Sequence, residues 1–296
     1  MQISNIQTIR NPKNFWLTIR KTLKSQREAP AIKKISRNQN LPLSFAQERL
    51  WFINQLEPNS IGYQFSQGYY LASPLDISAL EKSFTEIQRR HEILRTTFTI
   101  KEGNPVQIIA PAKSYKLNII DLSSLSETKL NSEINRLFSE ESQKPFNLAY
   151  ELSWRVKMLR IKAEKYIMLL SMHHIVYDGW CLSLFFRELV KLYQAFSQHK
   201  PIPLTKVLVQ YADYAYWQRK WLTDNVLESQ LTYWKSKLGG SLPILQLPTD
   251  RPRPPIQTYR GASQFLAFTQ DLTNSIKSLT QQESTTLFVT LLTTFK

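Results

Sequence analysis

The stretch SMHHIVYDGWCL, residues 171–182, sets two of the chain's four histidines side by side and follows them with Asp178 and Gly179. The apolar run before it, broken by a polar turn at residues 163–165, predicts two strands that end at the histidines. The residues after Gly179, WCLSLFFRELVKLYQAF, have the apolar periodicity of a helix. The double histidine is therefore predicted at a strand-to-helix corner, where a scaffold holds functional side chains from both sides.

Adjacent side chains of a strand point to opposite faces, so we expect one of His173 and His174 to point into the core and the other outward. This favours one reactive imidazole with a supporting neighbour over a site where both histidines bind a metal. No CxxC or HExxH spacing supplies further ligands, so we expect no metal site. Gly179 is expected to permit a tight entry into the helix. Taken alone, these residues are also consistent with hydrogen-bonded polar groups of a core.

The composition describes a globular protein: 296 residues, 42% hydrophobic, with 12% aromatic residues and one cysteine, Cys181. A single cysteine excludes an internal disulfide framework, and no apolar run approaches the roughly 20 residues that span a bilayer. The first residues lack a signal-peptide pattern. We expect a cytoplasmic protein that does not enter a membrane.

The basic residues are unevenly distributed. Residues 1–40 hold nine lysines and arginines and one acidic residue, which accounts for about half of the net charge of +15. No zinc-finger spacing, RNA-binding aromatic pattern or basic recognition helix is present, so no nucleic-acid partner is expected. Within residues 1–40, Asn11-Pro12 and the spacing of Phe15, Ile19 and Leu23 predict a basic helix, followed by a linker. This leader is interpreted as a solvated tether, a docking segment for an acidic partner or a membrane-surface helix.

The globular part is predicted to begin at Leu41 and to have an α/β fold. Ser44 and Gln47 have the spacing of a capping box, and Asp76 is placed to cap the next helix. Further elements are expected in chain order: a strand at 67–71, a hairpin turning at Gly103-Asn104, a helix at 127–142, helices around 211–222 and 228–238, a strand near SQFLAF at 263–268, and two terminal helices.

Several long segments in register resemble the condensation domains of non-ribosomal peptide synthetases. They are SFAQERLWFINQLEP (44–58), RRHEILRTTF (89–98), MHHIVYDGW (172–180), YADYAYWQRKWL (211–222) and LPTDRPRPPIQTYRGA (247–262). The resemblance implies a two-lobed fold similar to chloramphenicol acetyltransferase, with a tunnel between the lobes. It implies a first lobe at 41–204 and an incomplete second lobe at 205–296, since the chain stops at TLFVTLLTTFK, an apolar helix of that lobe. We therefore expect a truncated chain that is inactive by itself.

The resemblance also implies an activity. Donor and acceptor carrier domains would present thioesters on phosphopantetheine, and the acceptor amine would attack the donor thioester to form an amide. No cofactor would be bound directly, and an adenylation domain would follow in the synthetase. By the same resemblance, His174 lies at the reacting centre, where it acts as a general base or only orients the amine and stabilises charge.

The other site residues follow from the resemblance as well. The backbone N–H of Gly179 would lie close to the reacting centre, and His173 would support the loop. Asp178 would turn away and pair with Arg90, and Arg95 of the same RHEILR motif would belong to this supporting set. Two further functions stay open: a non-catalytic scaffold that docks carriers, and a stand-alone acyltransferase that uses acyl-coenzyme A. A serine hydrolase is not expected, because the sequence contains no Gly-X-Ser-X-Gly elbow.

Overall fold

The computed structural model describes residues 29–255, 264 and 266–295. They belong to two compact units that divide between Gln246 and Leu247. The first unit contains β1 (Leu41–Pro42), α1 (Phe45–Leu56), β2 (Gln64–Ala72), α2 (Ile77–Arg90), a 3-10 helix (Glu92–Arg95), β3 (Thr96–Lys101), β4 (Asn104–Ile109), β5 (Asn118–Asp121), α3 (Glu127–Gln143), β6 (Trp154–Lys162), β7 (Lys165–His173), α4 (Gly179–Ser197), α5 (Tyr211–Trp221) and α6 (Asp224–Leu238).

The main sheet has four strands in the order β2-β7-β6-β5. Strand β7 pairs antiparallel with β2 and with β6, whereas β5 pairs parallel with β6. A central strand that is covered on both faces is almost continuously apolar, which explains the run from Tyr166 to Leu170. A second sheet, of order β1-β4-β3, is antiparallel. The predicted hairpin is present, but its turn lies one residue earlier than predicted: Glu102 and Gly103 form it with positive φ angles of 53° and 77°, and Asn104 already pairs in β4.

Alternate residues of β7 pack against different helices. Leu170 and Met172 belong to a cluster with Phe84 of α2 and Leu192 of α4. Leu169 points to the opposite face and packs with a cluster that includes α3. The sheet is therefore covered by α2 and α4 on one face and by α3 on the other, and each fully buried aliphatic or aromatic side chain contributes about 1.5–3 kcal/mol. Because β7 is fixed on both faces, its carboxyl end is a rigid platform.

Two helix starts follow the predicted capping chemistry. In α1, the Ser44 side chain accepts from the Gln47 N–H while the Gln47 side chain accepts from the Ser44 N–H. In α2, Asp76 accepts from the Ala79 N–H at 2.9 Å. These side chains satisfy N–H groups that the first turn of a helix leaves without partners. The capping predictions are confirmed.

The end of the predicted leader contacts the first unit. The Ile35 N–H donates to the buried carboxylate of Asp213 at 2.9 Å, and the Arg37 guanidinium binds Asp213 and Glu92. Residues 35–37 are thus held by α5 and the 3-10 helix rather than free in solvent. The predicted basic helix around Phe15 to Leu23 lies outside the described residues.

The second unit contains α7 (Gln270–Gln282) and α8 (Leu287–Phe295). These are the two predicted terminal helices. The strand expected near 263–268 is wrong at the described positions 264 and 266–268, which are not in a strand. The described part of this unit offers no second strand to pair with, and apolarity alone does not make one. The lobe boundaries drawn at 204 and 205 do not coincide with the two units, and they stay a prediction.

No helix within residues 29–255 and 266–295 combines the length and hydropathy needed to cross a bilayer.

Candidate active site

The double histidine lies where β7 ends and the chain turns into α4. His173 is the last residue of β7 and is 5% exposed, whereas His174 is solvent-exposed. The predicted alternation of the two side chains is confirmed. The next two residues, Ile175 and Val176, are buried in an apolar cluster with Phe98 and Phe146, which anchors the loop from beneath.

His173 is a neutral residue that shapes the loop. Burial, followed by the neighbouring His174, lowers the pKa of His173 to about 4. Its unprotonated Nδ1 accepts from the Ile175 N–H at 3.1 Å, and its backbone N–H donates to the Ser153 carbonyl at 2.9 Å. An uncharged acceptor at this position stabilises the turn without adding a buried charge.

His174 carries the exposed imidazole. Its backbone N–H donates to the Tyr63 carbonyl at 2.9 Å, which joins the corner to the residue before β2. The imidazole stacks on the ring of Tyr177, with centroids 4.6 Å apart and planes inclined by 24°. Burial raises the pKa of Tyr177 to about 12, so its phenol stays neutral. An exposed imidazole on a rigid loop can exchange protons with a bound molecule.

Tyr177 was not singled out from the sequence. It occupies a position of the motif that is neither histidine, aspartate nor glycine, and its three-residue spacing from His174 was the available signal. Gln47 was also assigned only a capping role. Its side-chain amide additionally donates to the Ile175 carbonyl at 3.4 Å, so α1 holds the same loop.

Asp178 is the N-cap of α4. Its carboxylate accepts from the Cys181 N–H at 2.8 Å, and the N–H groups of Cys181 and Trp180 lower the pKa of Asp178. A carboxylate here also interacts favourably with the positive end of the helix dipole. Asp178 therefore fixes the direction in which α4 leaves the corner.

The expected pairing of Asp178 with Arg90 is wrong. Arg90 binds Glu188 with 3.2 Å between Nε and Oε2, and it donates to the Thr205 carbonyl at 2.8 Å. Glu188 lies ten residues beyond Asp178 on α4, about 15 Å along a helix of 1.5 Å rise per residue. Because α2 packs on α4 at Glu188 rather than at its N-terminus, Arg90 meets Glu188, while Asp178 is engaged at the cap.

Arg95 also lies away from the motif. Its guanidinium donates to the Ala110 carbonyl and is 3.8 Å from Glu92. In the described part of the chain, neither arginine bonds to residues 173–179. Arg90 and Arg95 stabilise the corner between α2 and β3 formed by residues 90–95, called the RHEILR corner below. The structure does not bring them to His173 and His174.

Gly179 begins α4 without a positive φ, and a Cβ added there would meet no atom within 4 Å. The expected need for glycine at a tight helix entry is therefore wrong. The backbone conformation suits any L-residue, and the space in front of the Gly179 Cα is open.

A small apolar cavity of about 80 Å³ lies behind the corner. It is lined by residues of the RHEILR corner, β7 and α4: His91, Leu94, Met172, Tyr177, Cys181 and Phe185. Over the described residues, no group of three histidine, cysteine, aspartate or glutamate side chains is arranged to hold a metal ion.

The described residues thus combine a mixed α/β fold with an exposed histidine at a strand-to-helix corner. The model of the Condensation domain family matches residues 37–296, and the chain belongs to this family.

Curated relatives are large synthetases. A linear gramicidin synthase protein of Brevibacillus parabrevis is 47% identical over 262 residues, which cover 88% of this chain and 5% of that protein. A phosphinothricin tripeptide synthetase of Streptomyces viridochromogenes is 36% identical over 255 residues, which cover 86% of this chain and 24% of that protein. The chain thus spans a small part of these relatives.

Solved structures share the fold. The X-domain from teicoplanin biosynthesis is 27% identical with a TM-score of 0.66, covering 77% of this chain and 49% of that one. The first condensation domain of the calcium-dependent antibiotic synthetase is 21% identical with a TM-score of 0.59, covering 67% and 47%. The expected chloramphenicol acetyltransferase-like fold is confirmed, and the chain spans about half of each of these structures.

Proposed function

We propose that the chain belongs to an amide-forming condensation domain of a non-ribosomal peptide synthetase. The observation that carries this proposal is the exposed imidazole of His174 on a loop that the apolar core and Gln47 of α1 anchor, in a chain of the Condensation family. Its substrates are a donor acyl or peptidyl thioester and an acceptor aminoacyl thioester, both on the phosphopantetheine of carrier domains. An adenylation domain of the same synthetase activates the acceptor.

In this reaction the acceptor amine attacks the donor carbonyl carbon. The C–N bond forms, the C–S bond breaks, and the proton lost by nitrogen ends on the departing sulfur. His174 serves the step by accepting the amine proton or by stabilising charge at the reacting centre, and either contribution is worth about 10²-fold or more. Because His173 is neutral, it adds no second positive charge next to an approaching ammonium group.

Gly179 supports the same step by leaving space. Its N–H is one of the first of α4 and has no acceptor within the helix, so it can donate to an oxygen on which negative charge develops. A Cβ added at Gly179 would meet no atom within 4 Å, so the space in front of this residue is open to a bound molecule.

The test uses the full-length gene product with purified donor and acceptor carriers, loaded with thioesters, and follows amide formation by intact-protein mass spectrometry. We expect transfer to the acceptor carrier, lowered at least about 10²-fold by His174→Ala. His199→Asn is the matched control, because His199 is also exposed and its positive φ suits asparagine. Transfer from free acyl-coenzyme A without carriers, or carrier binding with no transfer, would contradict the proposal.

A further inference from the structure

The side chain of Tyr177 contacts the imidazole of His174. The two rings are nearly parallel, at 24°, with 4.6 Å between centroids. The phenol oxygen is 3.3 Å from Nε2 of His174. With rings stacked in this way, the oxygen lies closer to the face of the imidazole than to its plane, where the nitrogen lone pair points. The contact is therefore mainly a stacking contact, and the hydroxyl is secondary.

Tyr177 is itself held firmly. It is 8% exposed and belongs to the core cluster beneath α2 and α4. Its ring also packs on Phe65 of β2, with centroids 5.5 Å apart. The turn that follows His173, closed by the Val176 N–H donating to the His173 carbonyl at 3.0 Å, brings Tyr177 back under His174. A ring fixed by the core thus meets a ring that is open to solvent.

Other contacts of the corner leave the imidazole free to rotate. His174 is joined to Tyr63 through its backbone N–H, and the Asp178 carboxylate is engaged with the N–H of Cys181. In the described residues the side chain of His174 has no hydrogen bond other than the contact with Tyr177. The orientation of the imidazole therefore depends on the ring beneath it. Offset stacking of two aromatic rings is favourable enough to prefer one rotamer several-fold.

We infer that Tyr177 is a positioning residue, whose aromatic ring fixes the plane of the His174 imidazole for the reaction. A stacked phenol also favours an imidazole that becomes positively charged, since the ring face attracts a cation. Its consequence for turnover rests on the proposed function, whereas the ring geometry can be measured without turnover.

The experiment measures the ring-current shift of the His174 Cε1–H by NMR on histidine-labelled protein. In the wild type we expect an upfield shift from the Tyr177 ring. Tyr177→Phe, which keeps the ring, should retain the shift, and Tyr177→Leu should abolish it. Tyr166→Leu is the matched control because Tyr166 is also 8% exposed in the same core cluster and should leave the shift in place.

Three results would overturn the inference: no upfield shift in the wild type, a shift retained in Tyr177→Leu, or a shift lost in Tyr177→Phe. The first needs no variant, so the test stands even if a substitution impairs folding. In the carrier assay, Tyr177→Leu should lower kcat about 10- to 100-fold with little change in KM, as expected for a misplaced catalytic group, and Tyr177→Phe should restore it. Absence of all turnover would contradict the proposed function and leave the NMR result decisive for Tyr177.

Discussion

Two corners of the first unit each place a histidine at the end of a secondary-structure element, and they use it differently. At the RHEILR corner, His91 ends α2, and its Nε2 is 2.8 Å from the Glu188 carboxylate, which also binds Arg90. At the β7–α4 corner, His174 is exposed and meets a neutral tyrosine instead of an acid. In the described residues, the His91 side chain is thus fixed to a carboxylate, whereas the His174 side chain bonds to none and stays open to solvent.

The largest effect is expected at the RHEILR corner. Glu188→Ala removes the carboxylate from Arg90 and His91, and because the Arg90 side chain is 7% exposed, it leaves a buried charge without its partner. The free energy of unfolding should fall by about 3–5 kcal/mol in urea titrations. Glu140→Ala is the control, since its pair with Arg136 is exposed, and it should change stability very little. Equal effects of the two substitutions would remove the structural role from this corner.

The same corner should be sensitive to acid. Burial alone would raise the pKa of Glu188, but hydrogen bonds from Arg90 and His91 outweigh it and lower the pKa. A lowered pKa contributes stability that is present above the ordinary glutamate pKa, about 4.3, and that is lost as the pH falls through the folded value. The difference in stability between the wild type and Glu188→Gln should therefore shrink in urea titrations below that pH. A difference that grows on acidification would contradict the pairing.

A smaller effect is expected at the other corner. Asp178→Ala removes an N-cap and should cost about 0.5–2 kcal/mol, similar to Asp76→Ala at the start of α2. If Asp178 instead formed a buried ion pair with Arg90, the loss would be as large as that of Glu188→Ala. Thermal melts of the three variants side by side distinguish the two structures of this corner.

The smallest effect on stability should come from Gly179→Ala. With no positive φ and no atom within 4 Å of the added methyl group, the substitution should be neutral or stabilise the fold by about 0.4–1 kcal/mol. We expect amide formation to fall in the same variant, because the methyl group would occupy the open space next to the Gly179 N–H, where the reacting oxygen would lie. Unchanged turnover together with an unchanged melting temperature would leave Gly179 without a role in the reaction.

Much of this contrast could be predicted from local pattern. The corner between β7 and α4, the opposite faces of His173 and His174 and the caps of α1 and α2 depend on residues within a few positions of each other. The alternation of side chains along a strand and the three-residue spacing of a capping box both depend only on this local geometry, so both can be read from the sequence.

Long-range pairings could not be predicted in the same way. Arg90 and Glu188 are 98 residues apart, and Arg37 and Asp213 are 176 apart. Which residues meet depends on the register in which α2 and α5 pack against their neighbours, and a shift of one helical turn would change every partner. Strand β5 was missed because four residues, half of them polar, carry little signal until β6 lies beside them.

The most direct test compares His174→Ala with His91→Ala in two measurements on each protein, the rate of amide formation between loaded carriers and the free energy of unfolding. We expect His174→Ala to lower the rate at least about 10²-fold and to leave stability within about 0.5 kcal/mol of wild type. His91→Ala should lose about 1.5–3 kcal/mol, as for a hydrogen bond to a charged group, and keep its rate under conditions where it is folded. A His91→Ala protein that is folded but inactive, or an active His174→Ala protein, would contradict the assignment of the two corners.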